Sequence, residues 1–353
     1  MEFCRSLPKI ELHAHINGSI SEKTMQELLQ KRSQEGSKDP IERWTTTIEK
    51  GDKSLDEIFA MFKVIHQISN NTDAAYKITY DIIHEFAEDN VKYVELRTTP
   101  RAVPDTGMTK ELYLESVLKA IADCEKEDLD IIVKLILAID RRSDVNIANE
   151  TVDLAVKYKQ ISNGKVIGID LSGDPSVNDA RDFIPAFKCA RSKGLKLALH
   201  LAEVLDQNAE TESVLDLPPD RIGHGTFLHP EVGGTESLVA KVKQHKTPLE
   251  LCLTSNVKGR TVKAFDNHQF KYWYDMGHPC VVCTDDKGVF ATSLSKEYKL
   301  AAETFDISQQ DLYQLSYKAI DHIFDTEDTK AILRQKWCTF AENTFKANIR
   351  NLQ

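Results

Sequence analysis

The run Ile10-Glu11-Leu12-His13-Ala14-His15 closes an apolar segment with two histidines two residues apart. In an extended strand alternate side chains share a face, so His13 and His15 project together and offer two imidazole nitrogens to one metal ion. Two ordinary polar residues at a strand end would look the same, so the rest of the chain decides. Three later runs end in residues able to complete a metal site: Leu195-Lys-Leu-Ala-Leu-His200-Leu-Ala-Glu203, Asp220-Arg-Ile-Gly-His224-Gly and Cys280-Val-Val-Cys-Thr-Asp285-Asp286. His13, His15 and His200 with Asp285 make a nitrogen-and-oxygen set suited to zinc, with one position left for water. Glu203 and His224 remain for proton and charge work.

Something must bring these distant segments to one point. Short runs rich in Val, Ile and Leu recur at 9–13, 91–97, 130–140, 166–171, 195–200, 221–224, 248–253 and 279–284, separated by longer amphipathic stretches. One such stretch, 72–90, aligns Tyr76, Ile78, Ile82, Ile83 and Phe86 on one helical face. Nearly continuous apolar runs suit parallel strands covered on both faces. Eight strand–helix units predict an α/β fold, a (β/α)8 TIM barrel. An open doubly wound sheet is the competitor, but its first turn would be Gly-rich, and here that place reads His-Ala-His-Ile-Asn-Gly. Only a closed barrel gathers the C-terminal ends of strands one, five, six and eight around one point.

The long insertion 19–90 predicts several helices over the barrel mouth, the first opened by a Ser19-x-x-Glu22 capping box. Helical patterns at 294–305, 309–324 and 329–348 follow the last strand. No repeat or Pro/Gly/Ser linker divides the chain, so residues 1–353 are read as one domain.

Hydrophobic residues make up 41% and charged residues 28%, the balance of a soluble globular protein. No apolar run approaches the roughly 18 residues of a membrane span. The first residues have neither a basic n-region nor an apolar h-region, so the cytoplasm is the expected location. Seven scattered cysteines do not form a disulfide framework and are read as reduced, buried thiols. A net charge of -10 disfavours nucleic acid, which needs a cationic surface. With an acidic surface and no obvious apolar patch, a monomer is expected.

Some motifs are decoys. Pro279-Cys280-Val-Val-Cys283 imitates half of the cytidine-type zinc deaminase signature, but residues three apart on a strand face opposite ways and no H-x-E partner exists. Asp140-Arg141-Arg142 is read as a charged loop start in which Asp140 alone serves the site. His66 lies in the helical stretch 55–68, where a histidine ordinarily packs or meets solvent. His84, His229, His245, His268, His278 and His322 carry no separable signal.

Taken in order, Leu12-His-Ala-His15, Ser172-Gly173-Asp174, His200-x-x-Glu203, Arg221-Ile-Gly-His-Gly225, Leu253-Thr-Ser-Asn256 and Thr284-Asp-Asp286 resemble the adenosine and AMP deaminases. The resemblance runs from His13 to about Tyr298 and is nearest the adenosine deaminase-like branch, the N6-methyl-AMP deaminases. It implies a TIM barrel with one zinc ion held by His13, His15, His200 and Asp285. It also implies Glu203 as the acid/base, His224 beside the attacking hydroxide, Asp286 on purine N7, and the Gly173 backbone on the other edge of the base. His15, Glu203, His66 and Asp140 match further substrate-contacting positions.

Two departures from adenosine deaminase itself stand out. Leu201-Ala202 replaces the usual Ala-Gly before the glutamate, a steric change. Asn17 replaces an aspartate that faces the ribose 5′ hydroxyl, and a carboxylate there would repel a 5′ phosphate by several kcal/mol, taking an effective dielectric near 20. Thr98-Thr99-Pro100-Arg101, just after the second strand, adds hydroxyl donors and a guanidinium suited to phosphate. The expected reaction is therefore hydrolysis of N6-methyl-AMP to IMP and methylamine, with a purine nucleotide as the small-molecule partner. The alternatives are an adenosine deaminase acting on free nucleosides and a non-catalytic zinc barrel that binds nucleotides. Glu203 and His224 argue against the last, since a binder needs no acid beside its metal.

Overall fold

The computed structural model describes residues 1–34 and 55–345. Eight parallel strands lie in sequence order: β1 (Lys9–His15), β2 (Val91–Thr98), β3 (Ile132–Asp140), β4 (Val166–Ser172), β5 (Lys196–Leu201), β6 (Arg221–His224), β7 (Leu249–Leu251) and β8 (Cys280–Val282). The ring closes between β8 and β1 by one parallel bridge, Ala14 to Asp285. There Asp285 N–H donates to the His13 carbonyl (2.8 Å) and His15 N–H to the Asp285 carbonyl (3.2 Å). Eight strands in this order, wrapped by helices, are the TIM barrel the apolar runs predict.

The strand periodicity sorts the residues of β1 in two. Ile10, Leu12 and Ala14 are buried beneath the outer helices, and Lys9, Glu11, His13 and His15 alternate with them on the barrel interior. β7 and β8 are shorter than their apolar runs suggest, three residues each, and β3 begins at Ile132, two residues later than expected.

The helix Thr72–Glu88 is part of the barrel wall, packed on β2 and on the helix Lys110–Lys126, and does not cover the mouth. Its buried face is Ala74, Ala75, Ile78, Thr79, Ile82, Ile83 and Phe86. Tyr76 stands off that face and donates its hydroxyl to Asp123 (3.1 Å). The helices Glu22–Gln34 and Leu55–Ile68 precede it. The first is capped by Ser21, whose Oγ accepts from Thr24 N–H (3.2 Å), and not by the expected Ser19, whose hydroxyl is buried.

Beyond β8 come Leu294–Phe305, Gln309–Ala319 and Glu327–Phe345; the second ends five residues early, in a short 3-10 turn at Ile320–His322, and 346–348 lie outside the described residues. Cys4, Cys124, Cys252, Cys280 and Cys283 are buried, whereas Cys189 and Cys338 are exposed, contrary to expectation, on outer helices. Among the described residues no helix is long and apolar enough to cross a membrane.

Candidate active site

One ligand atom from each of His13, His15, His200 and Asp285 falls within a 4.8 Å cluster at the C-terminal ends of β1, β5 and β8. Their backs are already spoken for. His13 Nδ1 donates to Glu250 Oε2 (2.8 Å) and His200 Nδ1 to Asp170 Oδ1 (2.9 Å), so each ring presents Nε2 to the cluster. Asp285 Oδ2 accepts from Ser255 Oγ (2.6 Å), leaving Oδ1 3.5 Å from His13 Nε2 and 3.4 Å from His15 Nε2. His15 Nε2 and His200 Nε2 face each other at 3.2 Å. His13 Nε2 is buried without a hydrogen-bond partner, a costly state for a polar atom unless a cation takes the lone pair. Three imidazole nitrogens and one carboxylate converging on one point fit zinc.

Glu203 and His224 stand beside this set. His224 Nε2 is 3.7 Å from Glu203 Oε1 and 3.8 Å from Asp285 Oδ2. Burial lowers the His224 pKa well below the usual imidazole value, so the ring is neutral. Burial also raises Glu203 to about 7, aided by the charge on Asp285. The two adjacent aspartates separate. Burial works against ionisation of Asp285, but the histidines around it hold its pKa well below the carboxylate range. For Asp286, burial and the charges of Asp285 and Glu203 all push the pKa up, so it keeps its proton. Neighbouring carboxyls driven apart in this way take different roles.

Three strand ends reach the site through left-handed backbone: Ala202 (φ 51°), His224 (φ 60°) and Asp285 (φ 58°). Non-glycine residues in that region are sparse and gather at functional sites. The Ala202 methyl is thus carried where a glycine would sit freely. Two glycines are required by contact. A Cβ on Gly18 would lie 1.6 Å from Asp286 Oδ1, and one on Gly173 (φ 96°) would lie 2.5 Å from Asp140 Oδ1.

Above the metal set opens a cavity of about 310 Å³ lined by His15, Asn17, His66, Thr98, Thr99, Arg101, Asp140, Gly173, His200, Glu203, His224, Asp285 and Asp286. Pro100 is buried but does not line it. Thr98 Oγ1 is already hydrogen-bonded to the Tyr113 hydroxyl (2.5 Å). Burial, with Arg101 and Arg142 nearby, lowers His66 to about 4. Arg101 donates to the His66 carbonyl (3.3 Å) and to the carbonyl and hydroxyl of Ser69; its Nε is buried without a partner, and no carboxylate pairs with it among the described residues. Arg142, passed over in the sequence, also lines the cavity and holds Asp140 through Nε (2.9 Å) and NH2 (2.5 Å).

The sequence reading missed the layer beneath. Glu250 accepts from His13, from Arg97 and from Arg221 Nε (2.6 Å). Burial alone would raise its pKa, but the two guanidiniums hold it well below the carboxylate range. Arg97 NH1 is 3.4 Å from Asp170, and Arg221 pairs with Glu95. Glu11 accepts from His13 N–H (2.8 Å), Thr284 N–H (3.0 Å) and the Thr284 hydroxyl (2.8 Å). The available signal was polar and charged residues at alternate positions inside apolar strands, Tyr93, Glu95 and Arg97 in β2 above all.

Comparison with known proteins agrees with this geometry. The family model described as adenosine deaminase matches residues 8–339. The chain is 51% identical to the N6-methyl-AMP deaminase of Danio rerio over 95% of each chain. It is 51% identical to that of Homo sapiens, over 95% of this chain and 94% of the human one. A crystal structure of arabidopsis ADAL complexed with IMP superposes with a TM-score of 0.89 at 36% identity, covering 97% of this chain and 99% of that one. With an inward-facing His/Asp cluster, a buried acid beside it and a match across nearly its whole length, the chain belongs to the adenosine deaminase family.

Proposed function

We propose that this chain is a zinc-dependent hydrolase of N6-substituted purine nucleoside 5′-monophosphates, converting N6-methyl-AMP and water to IMP and methylamine. The observation that carries the nucleotide reading is Arg101. A largely buried guanidinium with no carboxylate beside it among the described residues, lining the cavity that holds the ligand set, is a standing counter-charge for an anion. Asn17, on the same cavity, adds no charge to oppose it. The close relatives named N6-methyl-AMP deaminase and the IMP bound to the arabidopsis protein support the same substrate class.

Zinc held by His13, His15, His200 and Asp285 would supply hydroxide at neutral pH by lowering the pKa of water from about 15.7 toward about 7. The chain's own residues do the rest. Addition at C6 removes the aromaticity of that carbon and builds charge on N1. Glu203, protonated because it is buried, gives its proton to N1. Neutral His224, beside Glu203 and Asp285, would steady the attacking oxygen. Asp286, still carrying its proton, donates to N7, an acceptor that an ionised carboxylate would repel. Gly173 admits the backbone to the opposite edge of the base, where any side chain would strike Asp140. Collapse at C6 forms the C6=O bond and breaks the C6–N6 bond, and Glu203, now ionised, takes the hydroxyl proton and passes it to the departing nitrogen, which leaves as methylamine.

The test is to load the purified protein with zinc and follow N6-methyl-AMP, AMP, N6-methyladenosine and adenosine by purine absorbance and amine release. N6-methyl-AMP should be turned over with the highest kcat/KM. Equal or better use of the nucleosides refutes the monophosphate reading, and no turnover of any of the four refutes the enzyme.

A further inference from the structure

His224 reaches the site with one ring nitrogen, and which nitrogen carries the proton is set from behind. Phe270 N–H donates to His268 Nδ1 (3.0 Å), so His268 must carry its own proton on Nε2. That Nε2 lies 3.0 Å from Asn256 Oδ1 and donates to it. Gln269 Nε2, fixed as a donor by the His224 carbonyl (3.2 Å), points at the same oxygen (3.4 Å). With two donors on its carbonyl oxygen, the Asn256 amide is oriented, and its Nδ2 lies 3.3 Å from His224 Nδ1. All of His224, Asn256, His268, Gln269 and Phe270 are buried, so water cannot scramble the order.

We infer that Asn256 and His268 are positioning residues that fix the tautomer of His224, making Nδ1 an acceptor and Nε2 the N–H that faces Glu203, Asp285 and the reacting oxygen. The polarity runs one way, from a backbone amide through His268 and Asn256 to His224. A neutral imidazole of the other tautomer would point a lone pair at the attacking oxygen and withdraw the hydrogen bond. The inference rests on the role given to His224 above, but its structural half is measurable without turnover.

The experiment uses zinc-loaded protein labelled with 15N-histidine, together with kinetics on N6-methyl-AMP. Asn256→Asp replaces the donor facing His224 with an acceptor at constant shape. His224 should then move its proton to Nδ1, and kcat should fall by roughly 10²-fold or more, with KM and zinc content unchanged. His268→Gln keeps an amide N–H for Asn256 Oδ1 and should retain the wild-type tautomer and most of the turnover. His268→Phe removes the nearer donor, leaving only Gln269 at 3.4 Å, and should mix the two His224 tautomers and lower kcat. An unchanged His224 tautomer in Asn256→Asp overturns the inference. A switched tautomer with undiminished kcat, or a fully active His224→Ala, overturns instead the catalytic role of His224.

Discussion

Replacing Glu250 with Gln should loosen zinc and the fold together. Its carboxylate lies 2.8 Å from His13 Nδ1 and 2.6 Å from Arg221 Nε and also bonds Arg97, with every partner fully buried. At such distances each ion pair is worth about 6 kcal/mol at an effective dielectric near 20. Desolvation offsets much of that, but removing one member leaves the other charge stranded, which costs about 3–5 kcal/mol. Asp170 and Glu95 still serve the two arginines, so the lower end, about 3 kcal/mol, is expected for the isosteric amide. The amide oxygen can still accept from His13, but without the charge the ring is a weaker ligand, and zinc affinity should fall about 10–100-fold. Chelator competition reads the first effect and urea unfolding at saturating zinc the second. If Glu250→Gln binds zinc within about twofold of wild type, well inside that range, and unfolds at the same urea concentration, the carboxylate neither orients His13 nor balances the arginines.

Glu203→Gln keeps the shape and removes the proton, so activity should drop at least about 10²-fold with zinc still bound; near-normal turnover rejects the assignment. Because burial holds Glu203 near 7, its acidic form is present below that pH and disappears above it, so wild-type kcat/KM should decline as pH rises through about 7; a flat profile there counts against Glu203 as the donor. Asn17→Asp sets a carboxylate at the cavity wall, and a like charge about 4 Å from the phosphate costs about 4 kcal/mol at a dielectric of 20. The nucleotide-to-nucleoside kcat/KM ratio should therefore fall on the order of a hundredfold or more, and an unchanged ratio places the phosphate elsewhere. Gly18→Ala drives a methyl into Asp286 and should lower kcat/KM about 10–100-fold, the cost of leaving a buried hydrogen-bond partner unsatisfied, while metal analysis finds full zinc.

The barrel was legible because its strands are buried on both faces and so read as unbroken Val, Ile and Leu. Residues chosen for their place at strand ends, His13, His15, His200 and Asp285, then converged as the topology demands. The layer beneath was not legible, for a related reason. Glu95, Arg97, Arg221 and Glu250 sit inside strands, and charge there looks like surface until the ring closes and turns those positions inward. Asn256 was noticed only as part of a motif, and His268 only as background, because Asn256 lies 12 residues from His268 and 32 from His224 in the chain. Arg142 was set aside as a loop charge since nothing in its spacing places it over a cavity. The helix Thr72–Glu88 was misplaced because a long insertion hides which of its helices belongs to the wall.

The clasp of the ring has a consequence of its own. Between β8 and β1 there is no extended ladder: the joint consists of the main chain of His13, His15 and Asp285, stitched by the Glu11 carboxylate to Thr284. Three of the four residues that would seat the metal, His13, His15 and Asp285, also shut the cylinder. A metal seated there would clamp the hoop at its one seam, and prying that seam apart separates His13 and His15 from Asp285.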